Sequence, residues 1–439
     1  MKRALPWILT LLVAGAATAG LYQLGKRQRG QAPAAAPATG ALFTASPAGS
    51  GAIFQLHAAA DQPLRSVRFL PALTDGEVIA QVLTQTGDQL VGWFDDGKFM
   101  GTLRLQVPEN VPQAFFRFAN LEDAAVLPDR TLLLLYTDGT GGGSAPWLMA
   151  VGPDGATRWS VKGTGTGIAL EPGGKSCLVW DAANLGRVSW SAGASFKALP
   201  LPDGVSVLDA VLPLAGGRMM LTHPGGMAML NGGVWTLTPL PDPNELSFPG
   251  SLGVLSPSGD AVYWQPRPGQ LAKVAADGTI APIALTQLAA PTDRARDLAL
   301  LRLVGSDSRG RLWFRLATPD LTVAPHAVAV NAPSPALAAT AALTGSSPAP
   351  APSAAAEAPA PFDPAPWMDY LKGGLDRVYV WDPKVNALTL IDWKARWAAL
   401  GAPSDFSLPL PRSLQPQGGA LLLDLDTRAW WLPLEKVAP

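Results

Sequence analysis

Apolar residues in this chain come in short blocks. Thr131 to Val161 reads TLLLLYTDGTGGGSAPWLMAVGPDGATRWSV, with two apolar runs separated by glycine-rich turns. Each run is too short for a helix of ordinary length, and neither alternates apolar with polar. A strand with one wet face would alternate, so these runs predict strands that are dry on both sides.

The pattern recurs as a cassette: a small-apolar strand, a Pro/Gly/Asp turn, then a strongly apolar strand. It is found as SVRFLPALTDGEVIAQV, EDAAVLPDRTLLLLY, GIALEPGGKSCLVW, LDAVLPLAGGRMMLT, LGVLSPSGDAVYWQ, LVGSDSRGRLWFRL and SLQPQGGALLLDLD. Aligned on the residue before the second strand, Arg130, Gly174, Gly217 and Gly259 are spaced 44, 43 and 42 apart. Gly76 to Arg130 is 54, Gly259 to Gly310 is 51, and Gly310 to Gly419 is 109. A hairpin with a Gly or Asp-Gly turn follows several cassettes, as in QLVGWFDDGKFMGTLRL and WLMAVGPDGATRWSV. Cassette plus hairpin makes four antiparallel strands in about 43 residues, the size of one β-propeller blade.

This pattern resembles the broad superfamily of WD40-like, TolB-like and quinoprotein-like bacterial propellers, from about Ala52 to the C-terminus. WLMAVGPDGATRWSV is similar to the tryptophan-ended repeat of quinoprotein-type blades, and DSRGRLWF to the blade motif of sensor-type propellers; each occurs clearly once. The expected fold is an all-β propeller of about seven four-stranded blades, with eight as the alternative. The count turns on RVYVWDPKVNALTLIDW. As the outer hairpin of the sixth blade it gives seven, and as the start of a blade of its own it gives eight. The last cassette has room for about three strands, so AIFQLHA (Ala52 to Ala58) is expected to complete it and close the ring, which removes exposed sheet edges. Adjacent Trp430 and Trp431 point to opposite faces of their strand, each with a blade to pack against.

Outside the repeats, Ala4 to Leu24 is uncharged, preceded by Lys2 and Arg3 and followed by Lys26, Arg27 and Arg29. Such a length suffices to cross a bilayer. It reads as an uncleaved signal anchor, or alternatively as a signal peptide with the small-residue triplet Ala17-Thr18-Ala19 before Gly20. No cysteine follows it, which argues against a lipoprotein. Residues 1–25 are thus the anchor or signal and 26–51 an Ala/Pro/Gly-rich tether. Residues 52–331 hold propeller blades, 332–366 form a Pro/Ala-rich insertion with too little apolar surface to fold, and 367–439 form the final blades. DWKARWAALG is the exception to the β pattern, a short helix capped by Asp392 with Trp393, Trp397 and Leu400 on one face.

Composition narrows the chemistry. With Lys+Arg 33 against Asp+Glu 34, nothing suggests a grip on nucleic acid. The lone Cys177 excludes an intrachain disulfide framework and any cysteine-built metal site, and its place in SCLVW reads as buried and inert. His57, His223 and His326 lie far apart in sequence with no companion at metal-ligand spacing. No serine-nucleophile motif occurs. GTGTG (Gly163 to Gly167) precedes a strand, where a phosphate cradle needs a helix. Asp242, Asn244 and Glu245 fit no standard calcium loop. No catalytic, cofactor-binding or metal residue is therefore assigned, and no cofactor is expected. The sequence favours a membrane-tethered scaffold in the bacterial inner membrane. Its propeller would lie in the periplasm, bind envelope or membrane proteins through its loop faces, and be held to the membrane by residues 4–24. A soluble or secreted form after signal cleavage is the alternative address. A propeller enzyme or ligand-binding protein with its site at the channel mouth is the alternative function.

Overall fold

The computed structural model describes residues 43–48, 53–58, 64–139, 145–239, 252–285, 295–316, 377–392, 396, 398–399 and 414–433, apart from 75, 164, 192, 257–258, 418–419 and 426–427. Strands are numbered in chain order. Six sheets have four antiparallel strands. The first holds β3 (Leu64–Leu70), β4 (Glu77–Thr84), β5 (Gln89–Asp95) and β6 (Lys98–Arg104). The second holds β7 (Asn120–Val126), β8 (Leu132–Thr137), β9 (Trp147–Val151) and β10 (Thr157–Lys162). The third holds β11 (Gly167–Leu170), β12 (Ser176–Trp180), β13 (Leu185–Ser189) and β14 (Ser195–Leu199). The fourth holds β15 (Ala210–Pro213), β16 (Met219–His223), β17 (Gly226–Asn231) and β18 (Val234–Pro239). The fifth holds β19 (Leu252–Leu255), β20 (Ala261–Gln265), β21 (Leu271–Ala275) and β22 (Ile280–Ile283). The sixth holds β23 (Leu301–Ser306), β24 (Leu312–Leu316), β25 (Arg377–Asp382) and β26 (Ala387–Asp392). The remaining sheet joins β1 (Phe43–Ala48) and β2 (Ile53–Ala58) to β27 (Leu414–Gln417), β28 (Ala420–Leu425) and β29 (Arg428–Pro433), in the order β1-β2-β29-β28-β27.

In chain order the innermost strands β3, β7, β11, β15, β19, β23 and β27 each lie beside the next, and β28 and β29 return to β3. Radial four-stranded sheets in a closed circuit make a β-propeller. The expectation of about seven, or eight, four-stranded blades is corrected: six sheets are four-stranded, and the one carrying both ends of the fold has five strands. RVYVWDPKVNALTLIDW supplies the outer hairpin of the sixth blade, since β25 pairs with β24. AIFQLHA is the expected closing strand, through Phe54↔Trp431 and Gln55↔Trp430. What the repeat pattern did not foresee is β1, whose backbone pairs along all six residues of β2 and widens this sheet by one strand.

The run LLLLY is dry on both sides because it stands between two blades. Leu132, Leu134 and Tyr136 pack toward Ile79, Val91 and Trp93 of the preceding blade. Leu133 and Leu135 pack toward Cys177 and Val179 of the following one. None of the five is more than 2% exposed, and burying one such leucine stabilises by about 1.5–3 kcal/mol. Outer strands meet water and alternate more freely, as in β18.

The aligned cassette residue has a backbone reason. Gly76, Gly174, Gly217, Gly259 and Gly310 have φ between 61° and 83°, and Arg130, at the same place, has φ 64°. This left-handed residue ends a tight turn, closed for example by Gly259 N–H to Ser256 O at 2.8 Å and Gly310 N–H to Asp307 O at 2.9 Å. Glycine occupies five of the six because a side chain is strained there.

The ring seam is aromatic. Trp431 stacks on Phe54 at 5.4 Å, meets Phe94 at 5.0 Å and lies edge-on to Phe69 at 6.2 Å. Trp430 and Trp431 are each 2% exposed, so both faces of their strand are covered. Short α-helical turns at Gln113–Phe118 and Ala295–Leu300 interrupt the β pattern. The segment at 4–24, the tether's start and the tract at 332–366 lie outside the described residues, as does most of DWKARWAALG. Among the described residues no helix is long and apolar enough to cross a membrane.

Candidate functional site

Antiparallel order within each blade sorts the connections onto two faces. Connections from first to second and from third to fourth strand are short: 127–131 and 152–156 in the second blade, 214–218 and 232–233 in the fourth. Those from second to third strand, and from the fourth to the next blade, emerge on the opposite face. They include 105–119, 138–146, 200–209, 240–251, 284–300, 317–376 and 393–413. One face is therefore built of tight turns, and the long connections all begin and end on the other. In propellers such asymmetry matters because binding groups ride on loops fixed to a rigid frame.

Two of the long connections are held by buried polar anchors. Under the turn Gln113–Phe118, Gln89 Nε2 donates to Phe116 O at 2.9 Å, while Gln89 Oε1 accepts from Tyr136 Oη at 2.6 Å and from Gln81 Nε2 at 3.1 Å. Burial pushes the Tyr136 hydroxyl far above its ordinary pKa, so it stays a donor. At Ala295–Leu300, fully buried Asp297 accepts from Tyr379 Oη and pairs with Arg377 Nη1 at 3.4 Å, both residues of β25. A buried carboxylate needs such partners, and removing either would cost several kcal/mol. The two helical turns are thereby fixed to the blades.

Polar side chains also tie neighbouring inner strands together. Arg68 Nη1 of β3 donates to Leu121 O of β7. Asp123 of β7 accepts from Ile168 N–H of β11 at 2.7 Å and from Ala124 N–H at 2.8 Å. Burial raises the Asp123 carboxyl above the usual range, while those two N–H groups and Arg68 pull it back down. Gln265 of β20 donates to Leu301 O at 2.9 Å and accepts from Leu303 N–H at 2.7 Å, both on β23. At the loop-face end of the ring, Asp209 precedes β15 and Arg302 is the second residue of β23. Burial lowers the Arg302 pKa, and the Asp209 charge from another blade acts against that shift. Glu122 of β7 accepts from Thr137 Oγ1 at 2.5 Å.

With that geometry in view, similar solved structures can be placed. A catalytically inactive virginiamycin B lyase from Staphylococcus aureus with quinupristin is 10% identical over 84% of this chain and 98% of that one, with TM-score 0.44. A streptogramin B lyase is 11% identical over 83% and 96%, with TM-score 0.43. The β-propeller domain of Swd1 from Myceliophteria thermophila is 10% identical over 85% and 97%, with TM-score 0.45. No protein-family model matches the chain, and no curated protein matches it. The chain is a β-propeller of no specific family. Strand order and the circuit of inner strands carry that statement.

Among the described residues, the histidines singled out in the sequence lie on separate sheets. His57 lies in β2 and His223 ends β16, half-buried, with Nδ1 accepting from Gly225 N–H at 3.2 Å. Burial lowers the His223 pKa. His326, Asp242, Asn244 and Glu245 lie outside the described residues. Among the described residues no group of three or more His, Cys, Asp and Glu side chains is arranged around a common point. Cys177 is fully buried, and burial pushes its thiol up to about 12, which makes it unreactive at neutral pH. GTGTG leads into β11, a strand. Sequence reasoning missed Asp209, Arg302, Asp123 and Gln265, which are single polar residues with no local motif. For Asp123 the available signal was a carboxylate where the aligned cassettes carry Phe69, Gly167, Ala210, Leu252 and Leu303.

Proposed function

We propose that this propeller is a membrane-tethered interaction scaffold of the cell envelope, with its loop face turned to a protein partner. The observation that carries the reading is the one-sided placement of long connections, two of them fastened by the Gln89 and Asp297 anchors. A rigid ring with its long connections gathered on one face suits capture of a macromolecule and needs no catalytic group. The apolar segment at 4–24 with basic flanks supports the tether and the inner-membrane, periplasm-facing address. Partners would be other envelope or membrane proteins.

The test is crosslinking and affinity purification from intact membranes. Charge changes on the loop face, Glu109→Lys with Asp203→Lys, should abolish capture of a partner that Arg309→Glu with Lys384→Glu on the tight-turn face leaves in place. All four residues are exposed. Equal loss from both faces, or from neither, refutes the face assignment. Deleting residues 1–24 while exporting the chain with a cleavable signal should impair the cellular role. Undiminished function of that released form would favour the cleaved, soluble alternative. The second reading is a ligand-binding or enzymatic site at the channel mouth.

A further inference from the structure

Four of the chain's eight methionines, Met219, Met220, Met227 and Met229, fall in the hairpin of β16 and β17. The register sets Met220 directly opposite Met229, and Thr222 directly opposite Met227. Opposed residues share a face with Cβ atoms about 4.5–5.5 Å apart, and residues two along a strand share it as well. Met220, Met227 and Met229 therefore stand side by side on one face, and they belong to one core cluster with Trp264 of the fifth blade. They are 0%, 2% and 6% exposed. Met219 faces the other way, toward Leu178 and Leu185 of the third blade. Among the described residues, Thr222 Oγ1 and Trp264 Nε1 have no hydrogen-bond partner, although the two residues are only 0% and 4% exposed. Both lie at the same seam: Gly253 is directly opposite Trp264, and a Cβ on it would stand 3.6 Å from Thr222 Cγ2.

We propose that Met220, Met227 and Met229 form a binding site for a soft monovalent metal ion, Cu(I), at the seam of the fourth and fifth blades. Thioether sulfur is a soft ligand that selects Cu(I) over harder cations. All three sulfurs are neutral and the seam is dry, so a divalent ion would keep a charge that nothing beside it offsets. A single positive charge costs least to bury there, and the Trp264 ring of the same cluster is a cation–π partner for it. Thr222 Oγ1, on the residue opposite Met227, offers an oxygen lone pair beside the sulfurs. Packing alone does not call for sulfur, since leucines fill the equivalent seams on both sides of Leu132 to Leu135. The Thr222–Met227 pair is one step from the His223–Gly226 pair that closes the hairpin on the loop face, so the ion enters from that face. The site is independent of the scaffold reading, and its loss would leave partner capture in place.

The test uses the untagged full chain in detergent and in chloride-free nitrate buffer. Silver(I), an air-stable soft monovalent ion, and Cu(I), kept reduced by ascorbate under argon, are each titrated while the melting temperature is followed. Affinity is read by competition with bicinchoninate. The expected result is a saturable melting-temperature rise at one ion per chain with both ions, and none with zinc(II) or potassium. Met220→Leu, Met227→Leu and Met229→Leu conserve volume and should fold. Each should weaken binding by at least the roughly tenfold that losing even an outer-shell partner costs a metal site. Met219→Leu, next in sequence but on the opposite face, should bind like the parent, as should Cys177→Ala, which removes the lone thiol. No rise with silver(I), an equal rise with zinc(II), or parental affinity in the three leucine variants overturns the proposal. So does an equal loss in Met219→Leu, or loss in Cys177→Ala, which would assign the ion to the thiol. Copper-edge X-ray absorption of the loaded parent needs no variant to fold: a shell of three sulfur scatterers is expected, and a shell of nitrogen and oxygen overturns the assignment.

Discussion

Arg130 offers a measurement of what the repeat position requires. It is the one non-glycine residue among the six cassette positions described, held at φ 64° where glycine stands in the other five. Its side chain lies 3.6 Å from Glu77, whose side chain is only 6% exposed, and 5.7 Å from the ring centre of Trp93. Two effects therefore oppose each other. An L-residue in the left-handed region costs about 1–2 kcal/mol. The ion pair and the cation–π contact return about 1–2 kcal/mol together, since Arg130 is itself partly exposed. Arg130→Ala loses the contacts and keeps the strain; Arg130→Gly loses the contacts and releases it. Allowing for the freer unfolded chain of glycine, Arg130→Gly should be more stable than Arg130→Ala by roughly 0.5–1 kcal/mol. The parent should equal or exceed both. In a chain of this size that is a difference of about 1–2 °C in melting temperature, resolvable by calorimetry or by tryptophan fluorescence in parallel samples. The usual order inside a strand is the reverse, alanine above glycine. An alanine variant that melts at or above the glycine variant would refute the backbone explanation of the repeat.

Other consequences are open to direct measurement. Trp431→Ala removes the ring stacked on Phe54 and should cost about 3–5 kcal/mol by opening a cavity at the seam, seen as an early, broadened melt; a shift below about 1 kcal/mol contradicts the seam's role. Asp307→Asn weakens acceptance from Arg311 Nε and Trp313 Nε1, each 2.9 Å away, and leaves a buried guanidinium without its counter-charge. It should destabilise by about 3–5 kcal/mol in urea unfolding, while Asp277→Asn on the surface changes little. Cys177 should resist thiol reagents at pH 8 until the chain unfolds. Its folded pKa lies above the unfolded value, so the stability it contributes is complete below about 8.5 and is lost as pH rises toward about 12; melting temperature should fall more steeply between pH 9 and 11 in the parent than in Cys177→Ala. Replacing Ser334 to Pro361 by a short Gly/Ser linker should move the melting temperature by only a few degrees, because closure entropy grows slowly with length; collapse of yield would show the tract to be packed structure.

The period of about 43 residues, the doubly apolar runs and the turn glycines are local facts, and they were enough to determine blade type, the strand order within a blade and the place of the closing strand. Each depends on a few consecutive residues: dryness on both faces of LLLLY, left-handed φ at Gly174 or Gly259, the Asp-Gly hairpin at Asp96. The tertiary structure alone decided the rest. Phe43–Ala48 has no strong strand pattern, and it is a strand because β2 offers it an open edge once the ring has closed. Arg302 and Arg315 are thirteen residues apart on two strands, and only the register of β23 against β24 sets them opposite each other. Asp123, Gln265 and Asp297 look like scattered polar residues until their backbone and side-chain partners from other elements are seen. Sequence records what each residue asks of its neighbours in the chain; hydrogen bonds and charges that span blades depend on distances fixed only when the circle is complete.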